Sequence, residues 1–123
     1  MSQNYFRKRL RSFQFAYSGL KALFIGQANA RIHLLATIVV LLAAWYFQIT
    51  RMEWALIVVA IVMVLAAEAL NTAIEQLADV VSPERHPRIK IAKDVAAAAV
   101  LLLAIGAAII GLIIFLPRLL VLF

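Results

Sequence analysis

Three long stretches of the chain carry almost nothing but apolar side chains: Ile32 to Phe47, Trp54 into the "EALN" segment that starts at Glu68, and Val95 to the C-terminus. As helices rising ~1.5 Å per residue, each covers most or all of a hydrocarbon layer ~30 Å thick. Of 123 residues, 66% are hydrophobic, and the mean hydropathy is +0.99. A single domain of this length cannot bury so much apolar surface within itself. The excess faces lipid, and the pattern predicts an all-α membrane protein with three transmembrane helices.

Charge sets the expected orientation. Of twelve Lys and Arg, six precede the first span (Arg7, Lys8, Arg9, Arg11, Lys21, Arg31) and four lie between the second and third (Arg85, Arg88, Lys90, Lys93), which leaves Arg51 and Arg118 for the other side. The positive-inside rule then makes the N-terminus and the 82–94 loop cytoplasmic. The basic residues sit at membrane edges without a soluble domain to present them, so no nucleic-acid partner is expected. No apolar run followed by a small-residue cleavage site marks a removable signal. The absence of cysteine excludes disulfides and thiolate metal sites.

The first thirty residues are patterned differently. Phe6, Leu10, Phe13, Tyr17, Leu20 and Phe24 recur at steps of three and four, and Arg7, Arg11, Gln14, Ser18 and Lys21 follow one position later. That rhythm predicts an N-terminal amphipathic surface helix in the cytoplasmic interface, either as an anchor on anionic lipid or as a wall of a site where lipid meets a soluble substrate. The whole of 1–123 is one membrane domain, with the surface helix over 1–29 and spans over 30–49, 53–81 and 88–120. Trp45, Tyr46, Phe47 and Trp54 mark the outer interface, "SPERHP" at 82–87 breaks the second helix, and Ala96 to Ala99, Gly106 and Gly111 offer close helix packing.

Three of the six acids lie in "EALNTAIEQLAD", residues 68–79. At ~100° per residue, Glu68, Asn71, Thr72, Glu75 and Asp79 fall on one stripe ~16 Å long. Ionised carboxylates near a bilayer interior are costly unless paired, hydrated or bound to a cation, so the stripe faces protein and a wet cavity near Lys90, Lys93 and Asp94. Clustered carboxylate and amide oxygens suit Mg²⁺, which completes its shell with water and substrate phosphates. Lys93 supplies a point charge for a phosphate. Glu68, the deepest acid, is placed to take a proton from a lipid hydroxyl. Phosphoryl transfer from a nucleotide to a membrane alcohol uses every member of the set, although the four glycines form no phosphate-binding loop of the usual kinds.

Residues 68–102, "EALNTAIEQLADVVSPERHPRIKIAKDVAAAAVLL", resemble the signature of the prokaryotic diacylglycerol kinase and undecaprenol kinase family: E-x-x-N-[ST]-x-I-E-x-x-x-D, a short break, then A-K-D. The likeness extends more weakly over the rest of the chain. It implies a homotrimer of three-span subunits in a bacterial inner membrane, using ATP and Mg²⁺ to phosphorylate a lipid alcohol, diacylglycerol or undecaprenol, at sites between subunits. Glu68 would be the catalytic base, Asn71 a polar contact and Glu75 a metal ligand. Asp79, Lys93 and Asp94 would hold the nucleotide. Gln27, in "GQANARIHL", stands where the family usually carries a second metal-binding acid. Its amide oxygen can coordinate but brings no charge.

Plainer readings stand beside these. His33 and His86 are isolated and read as interfacial hydrogen-bonding groups, and Lys90 with Asp94 as an i,i+4 pair. The chief rival function is a small ion-coupled transporter using Glu68. It is disfavoured because the carboxylates lie at one membrane face rather than the midplane. A non-catalytic membrane subunit with a basic, lipid-binding rim is the other.

Overall fold

The computed structural model describes residues 2–123. It contains four helices: α1 (Ser2–Gly26), α2 (Ala28–Tyr46), α3 (Arg51–Val81) and α4 (Pro87–Leu122). The last three are long and apolar enough to cross a membrane. At ~1.5 Å per residue, α2 just matches a hydrocarbon layer ~30 Å thick, whereas α3 and α4 overrun it by several turns.

A single residue separates α1 from α2. Gln27 takes an extended conformation, its N–H still closing α1 on Leu23 O at 3.0 Å while its carbonyl accepts from Arg31 N. Arg31 Nη1 then reaches back to the carbonyls of Phe24 (3.1 Å) and Ile25 (2.7 Å). Those are open acceptors at the α1 C-terminus, and a cation there also offsets the negative end of the helix dipole. The apolar row of α1, from Phe6 to Leu20, is exposed, as are Arg7, Arg11 and Lys21, and only Leu23 is buried.

The α2–α3 turn is tightly specified. Ile49 N–H bonds to Ala44 O and Gln48 N–H to Trp45 O, both at 3.3 Å. This is the Schellman pattern, with Gln48 in the left-handed position at φ 48°. Thr50 caps α3 reciprocally: its Oγ1 accepts from Glu53 N at 3.2 Å, and Glu53 Oε1 accepts from Thr50 N at 2.9 Å. The compact core lies at this end of the bundle. Ala44, Ile49, Ile57 and Ile114 are buried there, with Val40, Phe47, Trp54, Ile61, Ile110 and Phe115 against them. Arg118 of α4 grips Glu53 through two nitrogens, at 2.8 and 2.9 Å, and also donates to Ile114 O.

At the opposite end Ser82 terminates α3, and its hydroxyl donates to Glu84 O. His86 caps α4 by accepting from Arg88 N through Nδ1, with Pro87 in the first turn, where its missing N–H costs nothing. α3 and α4 form the best-packed pair, an antiparallel hairpin on which α2 leans. Small residues of α4 make less contact than their size allows. Ala96 is buried, but Ala97 to Ala99 are exposed, and no atom lies within 4 Å of a Cβ built on Gly106 or Gly111. The close approach expected at these positions therefore does not occur inside one chain. Most large apolar side chains of α2 to α4 are exposed, more than water tolerates and as lipid or further copies of the chain require.

Candidate active site

The acidic stripe of α3 is graded by depth. Counting ~20 residues of hydrocarbon crossing from Trp54 puts the second boundary near Ile74, with Glu68 about 9 Å inside it and Asp79 beyond it. Burial follows the same order. Glu68 is 4% exposed, the one buried charged residue among those described. Asn71, Thr72 and Glu75 are half-buried and Asp79 is exposed.

The inner part of the site joins α2 to α3. His33 Nε2 lies 3.2 Å from Glu68 Oε1. A turn further along, Asn71 Nδ2 donates to Glu75 Oε1 at 3.4 Å. Asn71 Oδ1 and Thr72 Oγ1 are buried without a hydrogen-bond partner. Buried polar atoms are nearly always satisfied, so two orphaned oxygens beside two carboxylates mark a place for a ligand that supplies donors or positive charge.

The outer part lies between α3, α4 and their connection. A cavity of about 550 Å³ is lined by Asp79, Ser82, Glu84, Arg85, His86 and Lys93, among others. Lys93 Nζ is paired with Asp79 Oδ1 across the hairpin. Both groups are substantially exposed, so water and salt weaken that pair, and an incoming phosphate can compete for the lysine. Lys90 and Asp94 form the expected i,i+4 pair, at 2.6 Å and well exposed. The first turn of α4 borders this cavity through Pro87, Ile89 and Lys90, and although Arg88 N and Lys90 N are already bonded to His86, the positive end of the helix dipole there favours an anion. Glu68 and Asp79 are eleven residues apart on α3, ~16 Å along its axis.

A divalent metal fits this donor set in part. Glu75 and the unpartnered Asn71 Oδ1 are hard oxygen donors of the type Mg²⁺ selects. No group of three or more His, Asp or Glu capable of holding a metal occurs among the described residues. Gln27 caps α2 through its backbone alone, is half-buried, and makes no hydrogen bond to Glu75. One chain therefore offers a partial shell that phosphate oxygens, water or a second subunit would complete.

His33, isolated in the sequence and expected as an interfacial hydrogen-bonding group, meets Glu68 only through the register of α2 against α3. The capping role of Glu53, also passed over, was visible as T-x-x-E ahead of an apolar run.

Three helices long and apolar enough to cross a membrane, with a stripe of acids and two unpartnered oxygens toward one end of α3, define a membrane protein with a polar site built into its bundle. The chain belongs to the prokaryotic diacylglycerol kinase family, whose model matches residues 14–115. It is 36% identical over 117 residues to an undecaprenol kinase of Bacillus subtilis, covering 95% of each chain. It is 40% identical over 110 residues to a diacylglycerol kinase of Synechocystis, covering 89% of this chain but 63% of that one. A diacylglycerol kinase of Escherichia coli is 29% identical over 104 residues, 85% of each chain. Membership makes this protein a lipid kinase.

Proposed function

We propose that the protein transfers the γ-phosphoryl group of ATP to the primary hydroxyl of a membrane lipid alcohol, diacylglycerol or undecaprenol, at the cytoplasmic face of the membrane, and that it works as a homotrimer. The observation that carries this reading is the burial of Glu68, the one buried charged side chain among the described residues, on the same stripe as the polar groups that lead outward to the exposed Asp79. Glu68 accepts the hydroxyl proton as the oxygen attacks the γ-phosphorus. The bond between that phosphorus and the β,γ-bridging oxygen breaks, and ADP leaves with the electron pair. The proton on Glu68 then returns to water.

The nucleotide occupies the cavity between α3 and α4. Lys93 exchanges Asp79 for a phosphate, and the γ-phosphoryl group extends from there along the stripe toward Glu68. Asp79 borders its other groups, while Asp94 lies outside the cavity lining and reaches the nucleotide only through its pair with the lining residue Lys90. Mg²⁺ would be held by Glu75 and Asn71, with the uncharged amide of Gln27 as third ligand, and would neutralise phosphate charge as transfer proceeds. The family resemblance, the partial metal shell and the exposed apolar faces all support assembly with shared sites. The basic residues flanking α1 and the α3–α4 connection support a cytoplasmic N-terminus, and the exposed apolar row of α1 supports its lying in the interface.

Undecaprenol is the acceptor to test first, because similarity to the relative so named runs the length of both chains. Purified protein in detergent is incubated with labelled ATP, Mg²⁺ and either lipid. Transfer of label to the lipid, lost in Glu68→Gln by roughly 10²-fold or more, is the expected result. Absence of lipid-dependent transfer with either acceptor would refute the proposal.

A further inference from the structure

Glu68 has one polar neighbour among the described residues, His33 Nε2 at 3.2 Å from Oε1. Neither carboxylate oxygen of Glu68 receives an aligned hydrogen bond among the described residues, and Oε2 lacks even a contact of this kind. A carboxylate oxygen accepts hydrogen bonds, so a bond between the two would use the ring N–H as its donor. The imidazole comes from α2, and its side chain is 25% exposed. On the other side it borders an apolar cavity of about 270 Å³ between α2, α3 and α4, lined by Ala36, Thr37, Ala60, Ala104 and Ala108, among others. The Thr37 hydroxyl is already committed to the His33 carbonyl, at 2.8 Å. Glu68 is thus the acidic group the ring addresses.

A glutamate has three side-chain torsions, the last of them broad. To act as a base it must bring one oxygen within ~2.6–3.2 Å of the hydroxyl. No donor on α3 itself restrains Glu68, since Asn71 is turned to Glu75. We infer that His33 is a positioning residue for the proposed phosphoryl transfer: with the ring turned into line, its Nε2–H donates to Oε1 of Glu68, 3.2 Å away, and leaves Oε2 for the lipid hydroxyl. This rests on the reading of Glu68 as the base.

Three variants of the full chain test it, each assayed for kcat and for KM of lipid and of MgATP. His33→Leu removes the donor, His33→Gln keeps an N–H close to the position of Nε2, and His33→Leu is also combined with Glu68→Gln. His33→Leu is expected to lower kcat by roughly 10- to 100-fold, less than loss of the base, with both KM values within about twofold. His33→Gln should recover most of that loss. On the residual rate of Glu68→Gln, read with labelled ATP, His33→Leu should have no further effect, because it acts through the carboxylate.

Full kcat in His33→Leu alongside an impaired Glu68→Gln overturns the positioning role and leaves the base assignment standing. Losses that multiply in the double variant, or a His33→Gln protein as impaired as His33→Leu, also overturn it. Wild-type turnover in Glu68→Gln alone removes the base assignment and this inference together.

Discussion

Replacing Glu68 by leucine should abolish activity and make the protein more stable. On insertion-derived scales an acid at the centre of a span costs ~2.5–3.5 kcal/mol, and leucine gains ~0.3–0.6. Glu68 lies about 9 Å inside the reckoned boundary rather than at the centre, and such penalties fall toward the interface. A benefit of ~1.5–2 kcal/mol is therefore the relevant scale. Against it stands the lost contact with His33, worth ~0.5–1.5 kcal/mol, partly recovered because the ring is a quarter exposed and can turn to water. The net expectation is a gain of about 1 kcal/mol, or ~3–5 °C in Tm for a chain of this size. Thermal unfolding in detergent without nucleotide, beside kcat on the same preparation, makes the comparison. A Leu variant that melts several degrees lower would show that Glu68 braces the helices, and its burial would then say nothing about catalysis.

Lys93→Ala should raise KM for ATP by roughly 10- to 100-fold, as loss of a charge-assisted bond to phosphate requires, while the exposed pairing with Asp79 predicts little change in Tm. An unchanged KM would remove Lys93 from the nucleotide site. Gln27→Glu should lower the Mg²⁺ concentration for half-maximal activity, by about tenfold per 1.4 kcal/mol gained. An unchanged or higher midpoint in a titration corrected for free ATP would take Gln27 out of the metal shell. Gln48→Gly should stabilise the α2–α3 turn by ~0.5–1 kcal/mol, since a left-handed residue with a Cβ costs ~1–2 kcal/mol and glycine's extra unfolded-state freedom returns part of that. Activity should not change, and a lower Tm would refute the turn geometry.

The helices were legible because their signals are local: uninterrupted apolar runs, Pro83 in the break and Pro87 opening α4, aromatic residues flanking the α2–α3 turn. The polar stripe followed from helical spacing alone. Pairings between helices were not legible. His33 with Glu68 requires a register between α2 and α3, and Glu53 with Arg118 joins residues 65 apart. Gln48 hid its role because glycine or asparagine is the usual mark of that position. The one-residue break at Gln27 was placed late: α2 begins at Ala28, ahead of the expected 30, in a segment whose only turn signal was Gly26. Small residues of α4 signalled packing without saying against what, and within one chain that surface stays open.

The buried cluster around Ala44, Ile49, Ile57 and Ile114, with the Glu53–Arg118 clamp beside it, makes the far end of the bundle a fulcrum. Beyond it, α2 runs along a cavity rather than a packed seam until it reaches His33. From the turn at 47 to His33 is fourteen residues, ~21 Å of lever arm. Each degree of tilt of α2 about that turn displaces the imidazole by ~0.4 Å, and five degrees move it by nearly 2 Å, more than separates a hydrogen bond from no bond at all. The placement of the imidazole beside Glu68 is thus inherited from the rigidity of the opposite end, ~21 Å away.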